Sequence, residues 1–375
     1  MLKFTQASVK SSSSGASSSA SGSSVSSYQS SAAGSDSFTF QFQKARDFMF
    51  SSLTATGVAT PPAAPLWFFS FIECVQLFLF SLDANLGFES TVSSSASSTA
   101  AASPMAMTSS AVNILRSLRT FTGYPTSFKW SVTLVVFFCI WSAAIIVALA
   151  SIGHGMMQGI TPRSHKIARL LYSATAMLLV VCLHACSSLV LCDFTGTSKT
   201  TMTFLPDKPC WAGAAQIGWG VAAGAVALVF AALALVVATF NIDISPTSKD
   251  PHSRLDLYIE VIWWAARFLL VLGGDLAWAV PTVAWLRRAV VAVLLIAAGG
   301  SISSYTIVFL PYWHRSVNCF RAAAGGAAAL AGIGHLIMLF SGIRGVSAIL
   351  VVTLLGLAGF AVALAATIVR YRFIP

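Results

Sequence analysis

Charged side chains are scarce in this chain, at 9% of its 375 residues, where a soluble globular domain carries about 25%. Too few polar groups remain to cover a water-facing surface. A soluble globular protein is therefore excluded, and lipid must solvate much of the chain. Acidic residues are the scarcer sign, 12 against 22 basic ones, and none precedes Asp36. The resulting net charge of +10 would suggest nucleic acid if the basic residues formed a stripe. They are instead scattered through the tail and the loops between apolar stretches. That is the pattern of membrane topology and contact with anionic headgroups, so no nucleic-acid partner is expected. The chain also lacks a Walker loop, a nucleophile elbow, an HExxH motif and a paired-cysteine zinc pattern. Neither an enzyme nor a metal or other cofactor is expected. No alternating ten-residue segments of a membrane barrel are present. No apolar h-region follows Met1, which excludes a secretory signal peptide.

Apolar residues are what the chain has, at 56%. They gather into eight stretches, near 63–82, 130–151, 168–192, 211–240, 258–286, 289–311, 321–341 and 346–369. A helix rises 1.5 Å per residue, so about 20 apolar residues cross a hydrocarbon core of about 30 Å. The predicted fold is all-α: a polytopic transmembrane helix bundle of about eight spans with a disordered Ser/Ala-rich N-terminal tail. Residues 1–60 form that tail, and from Ser11 to Ser35 it is almost only Ser, Ala and Gly. Such a segment has too little apolar surface to offset its ordering entropy. A plain cytosolic tail and an organelle transit peptide share this composition. Residues 61–375 form the membrane domain, interrupted by a Ser/Ala-rich loop at 90–110. Asn113–Phe121 reads as a short basic helix lying on the headgroups.

Lysine and arginine set the orientation. With a cytosolic N-terminus, thirteen of them fall on the cytosolic side, among them Lys44, Arg163, Arg254, Arg315, Arg321 and Arg370, against eight outside. Both termini are therefore expected in the cytosol. The fifth stretch allows two registers: a span running 258–280 puts Arg267 near mid-bilayer at a cost of at least about 2.5–3.5 kcal/mol, whereas the favoured span, 267–286, lets Arg267 snorkel to the cytosolic edge, with Glu260 outside the hydrocarbon and Asp275 the one charge within it.

Glu73 and Gln76 lie inside the first span, one turn apart on one face, and Asp275 in the fifth and His335 in the seventh are further intramembrane polar groups. An intramembrane carboxyl must be protonated, paired or facing water. These residues are read either as lining a polar pathway or as separate hydrogen bonds that hold the bundle together. Cys192 ends the third stretch and Cys210 begins the fourth on the same outer side, and a disulfide between them is predicted. Cys182, His184 and Cys186 cannot converge on a metal, because His184 lies about 200° from Cys182 on the helical wheel. Their expected role is core packing. Gly220 and Gly224 form a GxxxG pair suited to close helix packing. Gly273–Gly274 and Gly299–Gly300 are read as interruptions of the fifth and sixth spans.

Two segments resemble a known family. The first span carries FIECVQLFLFSLD, with Glu73, Gln76 and Leu77. The sixth runs into LPYWHRSVNCFRA, with Pro311, Tyr312, Asn318 and Arg321. Together they resemble the membrane region of the tiny macrocysts protein B/C family, over roughly residues 40–375. The resemblance implies a sensory or signalling membrane module, with Pro311, Tyr312, Asn318 and Arg321 as a cytosolic contact turn. The family's PAS-type sensory module has no counterpart in this sequence. The expectation is thus a stand-alone membrane module or one whose sensor is missing. The alternatives are a transporter or channel using Glu73, Asp275 and His335, and a membrane scaffold subunit. The implied partners are the lipid bilayer and either other membrane subunits or a cytosolic sensory module. The plasma membrane is favoured over an internal one.

Overall fold

The computed structural model describes residues 64–65, 67–77, 127–157, 165–193, 201–202, 205–240, 256, 258–279, 284–343 and 346–373. The tail at 1–60, the loop at 90–110, the Asn113–Phe121 segment and the end of the first stretch beyond Leu77 lie outside these residues. Among the described residues eight helices follow in order: α1 (Trp67–Leu77), α2 (Phe128–Met157), α3 (His165–Val190), α4 (Ala214–Phe240), α5 (Tyr258–Ala279), α6 (Ala284–Phe309), α7 (Arg315–Ser341) and α8 (Val346–Arg372). Six of them, α2, α3, α4, α6, α7 and α8, are long and apolar enough to cross a membrane. At 22 residues α5 is also of spanning length, but it carries Glu260, Arg267 and Asp275. The described part of α1 is about 16 Å long, half a membrane.

The outward faces identify the solvent. On α2, Ser131, Val135, Phe138, Ser142, Ile145 and Ile152 are buried, at the alternating three- and four-residue spacing of one helix face. Its other face exposes Val136, Phe137, Ile140, Ile146 and Val147. Similar aliphatic faces stand out on α4 (Ile217, Val221, Leu228) and α8 (Leu350, Leu354, Leu357, Val362). Apolar faces this continuous aggregate in water and are satisfied in hydrocarbon. The chain is an integral membrane protein.

Helix α3 is the axis of the first half, buried almost all round from Tyr172 to Leu189. The main core joins its Leu179, Leu183 and Cys186 to Phe138 of α2, Phe230 of α4, and Trp263 and Leu270 of α5. The Phe138 and Phe230 rings meet edge to face at 5.1 Å. Side-chain hydrogen bonds add direction: Trp141 Nε1 donates to Thr175 Oγ1 at 3.0 Å, and Trp264 Nε1 to the Ala231 carbonyl at 3.1 Å.

In the second half, α7 is wedged between α6 and α8 by missing side chains. A Cβ on Gly299 would lie 2.5 Å from the Gly325 carbonyl, and one on Gly326 would lie 2.6 Å from the Gly359 carbonyl. Backbone therefore meets backbone on both sides of α7. The GxxxG pair of α4 does not do this. Nothing lies within 4 Å of a Cβ on Gly224, and Gly220 faces the Trp211 ring. The expected interruptions are likewise absent, since α5 runs through Gly273–Gly274 and α6 through Gly299–Gly300. Gly273, against the Leu294 side chain, and Gly299, against the Gly325 carbonyl, serve close packing rather than helix breaking.

The segment between α3 and α4 carries a small sheet, and one further expectation is corrected. Strands β1 (Cys192–Asp193), β2 (Thr201–Met202) and β3 (Leu205–Pro209) form an antiparallel sheet in the order β1-β2-β3, with Cys192 opposite Met202. The Cys192–Cys210 disulfide staples it to the head of α4. The fifth helix does not run 267–286. It begins at Tyr258, where Asp256 Oδ1 accepts from the Tyr258 N–H at 2.9 Å. Asp256 and Glu260 thus place negative charge at the positive end of the helix.

The polar contacts order the two ends of the bundle. Asn318, at the start of α7, donates to Tyr371 Oη, at the end of α8, at 2.6 Å. The Trp67 ring at the start of α1 meets His314 edge-on at 5.6 Å. The heads of α1, α5 and α7 and the tail of α8 therefore share one end. The disulfide and the Ser188–Ser131 hydrogen bond (3.0 Å) mark the other.

Candidate functional site

Helix α5 carries its polar residues in one stripe. Glu260, Trp263 and Arg267 recur at three- and four-residue spacing and so share a face, which points into the bundle. Glu260 is 4% exposed and Arg267 2%. Arg267 does not snorkel. Its Nη1 donates to the Ala176 carbonyl of α3 at 2.7 Å and lies 3.5 Å from Glu73 Oε1 of α1. Arg321 of α7 completes the group, with Nη2 at 3.3 Å from Glu73 Oε2 and Nη1 at 3.0 Å from Glu260 Oε1. Two carboxylates meet two guanidinium groups, and the formal charge sums to zero. That balance is how four ionisable side chains remain buried, because an unpaired one would be expensive here.

Aromatic groups complete the cage. Trp263 Nε1 donates to Glu73 Oε2 at 3.1 Å, and the Trp263 ring lies 4.7 Å from the Arg321 guanidinium carbon and 5.7 Å from that of Arg267. Tyr312 Oη donates to Glu260 Oε1 at 2.6 Å and accepts from Arg321 Nη1. Its ring lies 4.7 Å from the Arg321 guanidinium carbon. The network therefore ties α1, α3, α5, α7 and the α6–α7 turn together.

That turn was expected to be a cytosolic contact surface, and the structure turns it inward. Pro311 is buried, and Tyr312, Asn318 and Arg321 are at most 2% exposed. The reason is local. Pro311 cannot continue α6, and Leu310 before it takes φ 45°, an unfavourable conformation for a bulky residue. Asn318 then clamps the reversed chain. Its Oδ1 accepts from the Tyr312 N–H at 3.1 Å, and its Nδ2 donates to the Tyr312 carbonyl at 2.8 Å.

A second polar cluster lies deeper along the same two helices. Asp275 is fully buried, with Oδ2 3.1 Å from His184 Nδ1 of α3 and accepting from Ser187 Oγ. Asp275 lies about two turns, or ~12 Å, beyond Arg267 on α5. Leu179 and Leu183 of α3 and Leu270 and Val271 of α5 fill the interval, each at most 1% exposed. Cys182 and Cys186 are buried in the main core, and His184 points to Asp275 rather than joining them.

Glu73, Asp275 and His335 therefore do not converge. Glu73 belongs to the charge network and Asp275 to the His184 pair. His335, fully buried, lies about four turns beyond Arg321, or ~21 Å along α7. Gln76 is buried one turn beyond Glu73, and its Oε1 accepts no hydrogen bond among the described residues. Sequence reasoning missed the parts played by Glu260, Trp263, Arg267, His184 and Ser187. The periodic stripe on α5 is the signal that carries the first three. Comparison of the chain with family models, with curated proteins and with solved structures returns no match.

Proposed function

We propose that the chain is a membrane-embedded signalling module whose helices move between discrete arrangements set by the charge network. The observation that carries this reading is the Glu73–Arg267–Arg321–Glu260 network, which links three helices, α1, α5 and α7, with no net charge. A helix that shifts in such a network must exchange one ion pair for another, so it passes between states rather than sliding continuously. The resemblance of FIECVQLFLFSLD and LPYWHRSVNCFRA to the tiny macrocysts protein B/C family supports the same reading. Spin labels at Phe68 of α1 and Phe340 of α7, both exposed, test it by pulsed distance measurement in liposomes. Two distance populations are expected, with a ratio that moves with membrane potential, pH or tension and changes in Glu73→Gln. One distance that is unmoved by any of these overturns the proposal.

A transporter is the second reading, and the buried Asp275–His184–Ser187 cluster favours it. The apolar layer between the two clusters weighs against a continuous polar route. Protein-dependent ion or proton flux in liposomes, abolished by Asp275→Asn, would establish transport in place of signalling.

For orientation, the start of α1 and the end of α8 lie at one end of the bundle, together with Arg315, Arg370 and Arg372. The positive-inside bias makes that end cytosolic. Both termini then lie in the cytosol, with the plasma membrane as the favoured location.

A further inference from the structure

Arg315 opens α7, and Arg370 and Arg372 close α8 at the same end of the bundle. All three are exposed. None takes part in an ion pair among the described residues. The carboxylates of α5 and its head at this end are already engaged, Asp256 by Tyr305 Oη and the Tyr258 N–H, Glu260 by Arg321 and Tyr312. We infer that the three arginines dock anionic phospholipid headgroups of the adjoining leaflet, and that this lipid is the ligand that biases the charge network. The second half of the inference rests on the signalling proposal; the first stands without it.

Depth and spread point to lipid rather than to a soluble anion. The patch lies where α7 and α8 reach the membrane boundary, and Trp313, exposed beside it, belongs at the headgroup level. Successive helix positions are about 100° apart, so Arg370 and Arg372 lie to either side of Tyr371. The Arg315 guanidinium carbon sits 5.0 Å from the centre of the Tyr371 ring. The three cations therefore spread across a surface and do not close around one phosphate. Such a surface reads the net charge of a leaflet. A zwitterionic headgroup brings an ammonium with its phosphate, whereas an anionic one brings the surplus negative charge that the patch lacks. Each arginine near an anionic leaflet is worth about a fivefold gain in affinity.

Hydrogen bonds connect the patch to the charge network. Tyr371 Oη accepts from Asn318 Nδ2 at 2.6 Å, Asn318 clamps the Tyr312 backbone, and Tyr312 Oη contacts Glu260 and Arg321. A guanidinium over a ring keeps its N–H groups in its own plane, where phosphate oxygens reach them. A charge-assisted bond to phosphate is stronger than an exposed contact between a cation and a ring. A headgroup therefore draws Arg315 from Tyr371 and alters the clamp that positions Tyr312 against Arg321.

The test uses the full chain in phosphatidylcholine vesicles with and without phosphatidylserine. Matched phosphatidylserine and phosphatidylcholine probes carry a carbene precursor near the ester end of one acyl chain, and adducts are mapped by mass spectrometry. The serine probe is expected to exceed the choline probe at Trp313 and Phe373, with the excess weakened by salt. Arg315→Gln should cut that excess about fivefold, Arg315→Lys should keep most of it, and the triple variant Arg315→Gln, Arg370→Gln, Arg372→Gln should abolish it. The adduct ratio at Trp130, exposed at the disulfide end, should not change. Equal labelling by both probes, or indifference to the triple variant, overturns docking; loss of the adducts on adding inorganic phosphate at constant ionic strength overturns the lipid assignment. Regulation is read from the spin labels at Phe68 and Phe340, whose population ratio should shift with phosphatidylserine in the parent chain and not in the triple variant. A ratio indifferent to phosphatidylserine overturns the regulatory half and leaves the signalling proposal standing. A single distance in every lipid overturns both of these, with docking still decided by the adducts.

Discussion

Removing Glu73 while keeping Arg267 should be far worse than removing both. Arg267 has one carboxylate neighbour among the ion pairs, Glu73 at 3.5 Å, and Arg321 has two, Glu73 at 3.3 Å and Glu260 at 3.0 Å. At an effective dielectric of about 20, each contact with Glu73 is worth about 5 kcal/mol before desolvation is charged against it. Glu73→Leu deletes two such contacts and leaves a net positive charge buried, with Arg267 reduced to the Ala176 carbonyl. The expected loss is about 3–5 kcal/mol. Arg267→Leu leaves Glu73 still paired with Arg321, but the network negative, and should cost about 3 kcal/mol. The double variant restores neutrality and fills the space with apolar atoms, so its loss should fall to about 1 kcal/mol. Reversible unfolding in mixed micelles, read as free energy for the four proteins, gives the coupling directly. A double variant as damaged as the sum of the singles, or a Glu73→Leu loss under about 1 kcal/mol, would refute the idea that charge balance holds this site.

The remaining predictions concern separate places. Gly299→Val should destabilise by at least about 2 kcal/mol, because the new Cβ meets the Gly325 carbonyl and no side-chain rotation relieves backbone; Gly224→Ala, with open space around it, should be neutral or gain up to about 1 kcal/mol. Unfolding of both variants checks the contrast. Cys192 and Cys210, 18 residues apart, should resist alkylation until reduced, and Cys192→Ser should cost about 3 kcal/mol in the chain-entropy account. Asn318→Ala should free the α6–α7 turn and the end of α8 together, raising hydrogen exchange at Tyr312 and near Tyr371 while leaving the disulfide end unchanged. Protease added outside intact cells should cut neither an N-terminal nor a C-terminal tag.

Much of the architecture is legible in the chain because lipid imposes a simple rule. Low charge and long apolar stretches define a membrane bundle, and helices α2 to α4, α7 and α8 fall where the stretches do. Hydropathy also places Cys192 and Cys210 on one side, and they are the pair the structure joins. Charge inside an apolar stretch is where this reasoning breaks down. Taken singly, Arg267 is cheapest at the membrane edge, and so the fifth span slides to 267–286. The tertiary fold makes it cheap in the interior by supplying Glu73, 194 positions away, and the Ala176 carbonyl. The sequence by itself therefore determined the solvent, the helical class and the approximate spans, because these follow from each segment's own transfer energy. Only the tertiary structure decided which polar groups meet: Glu73 with Arg321 across 248 positions, Asp275 with His184 across 91, and the Pro311 turn folded inward. Pairing energy belongs to two residues at once, and no local window contains both.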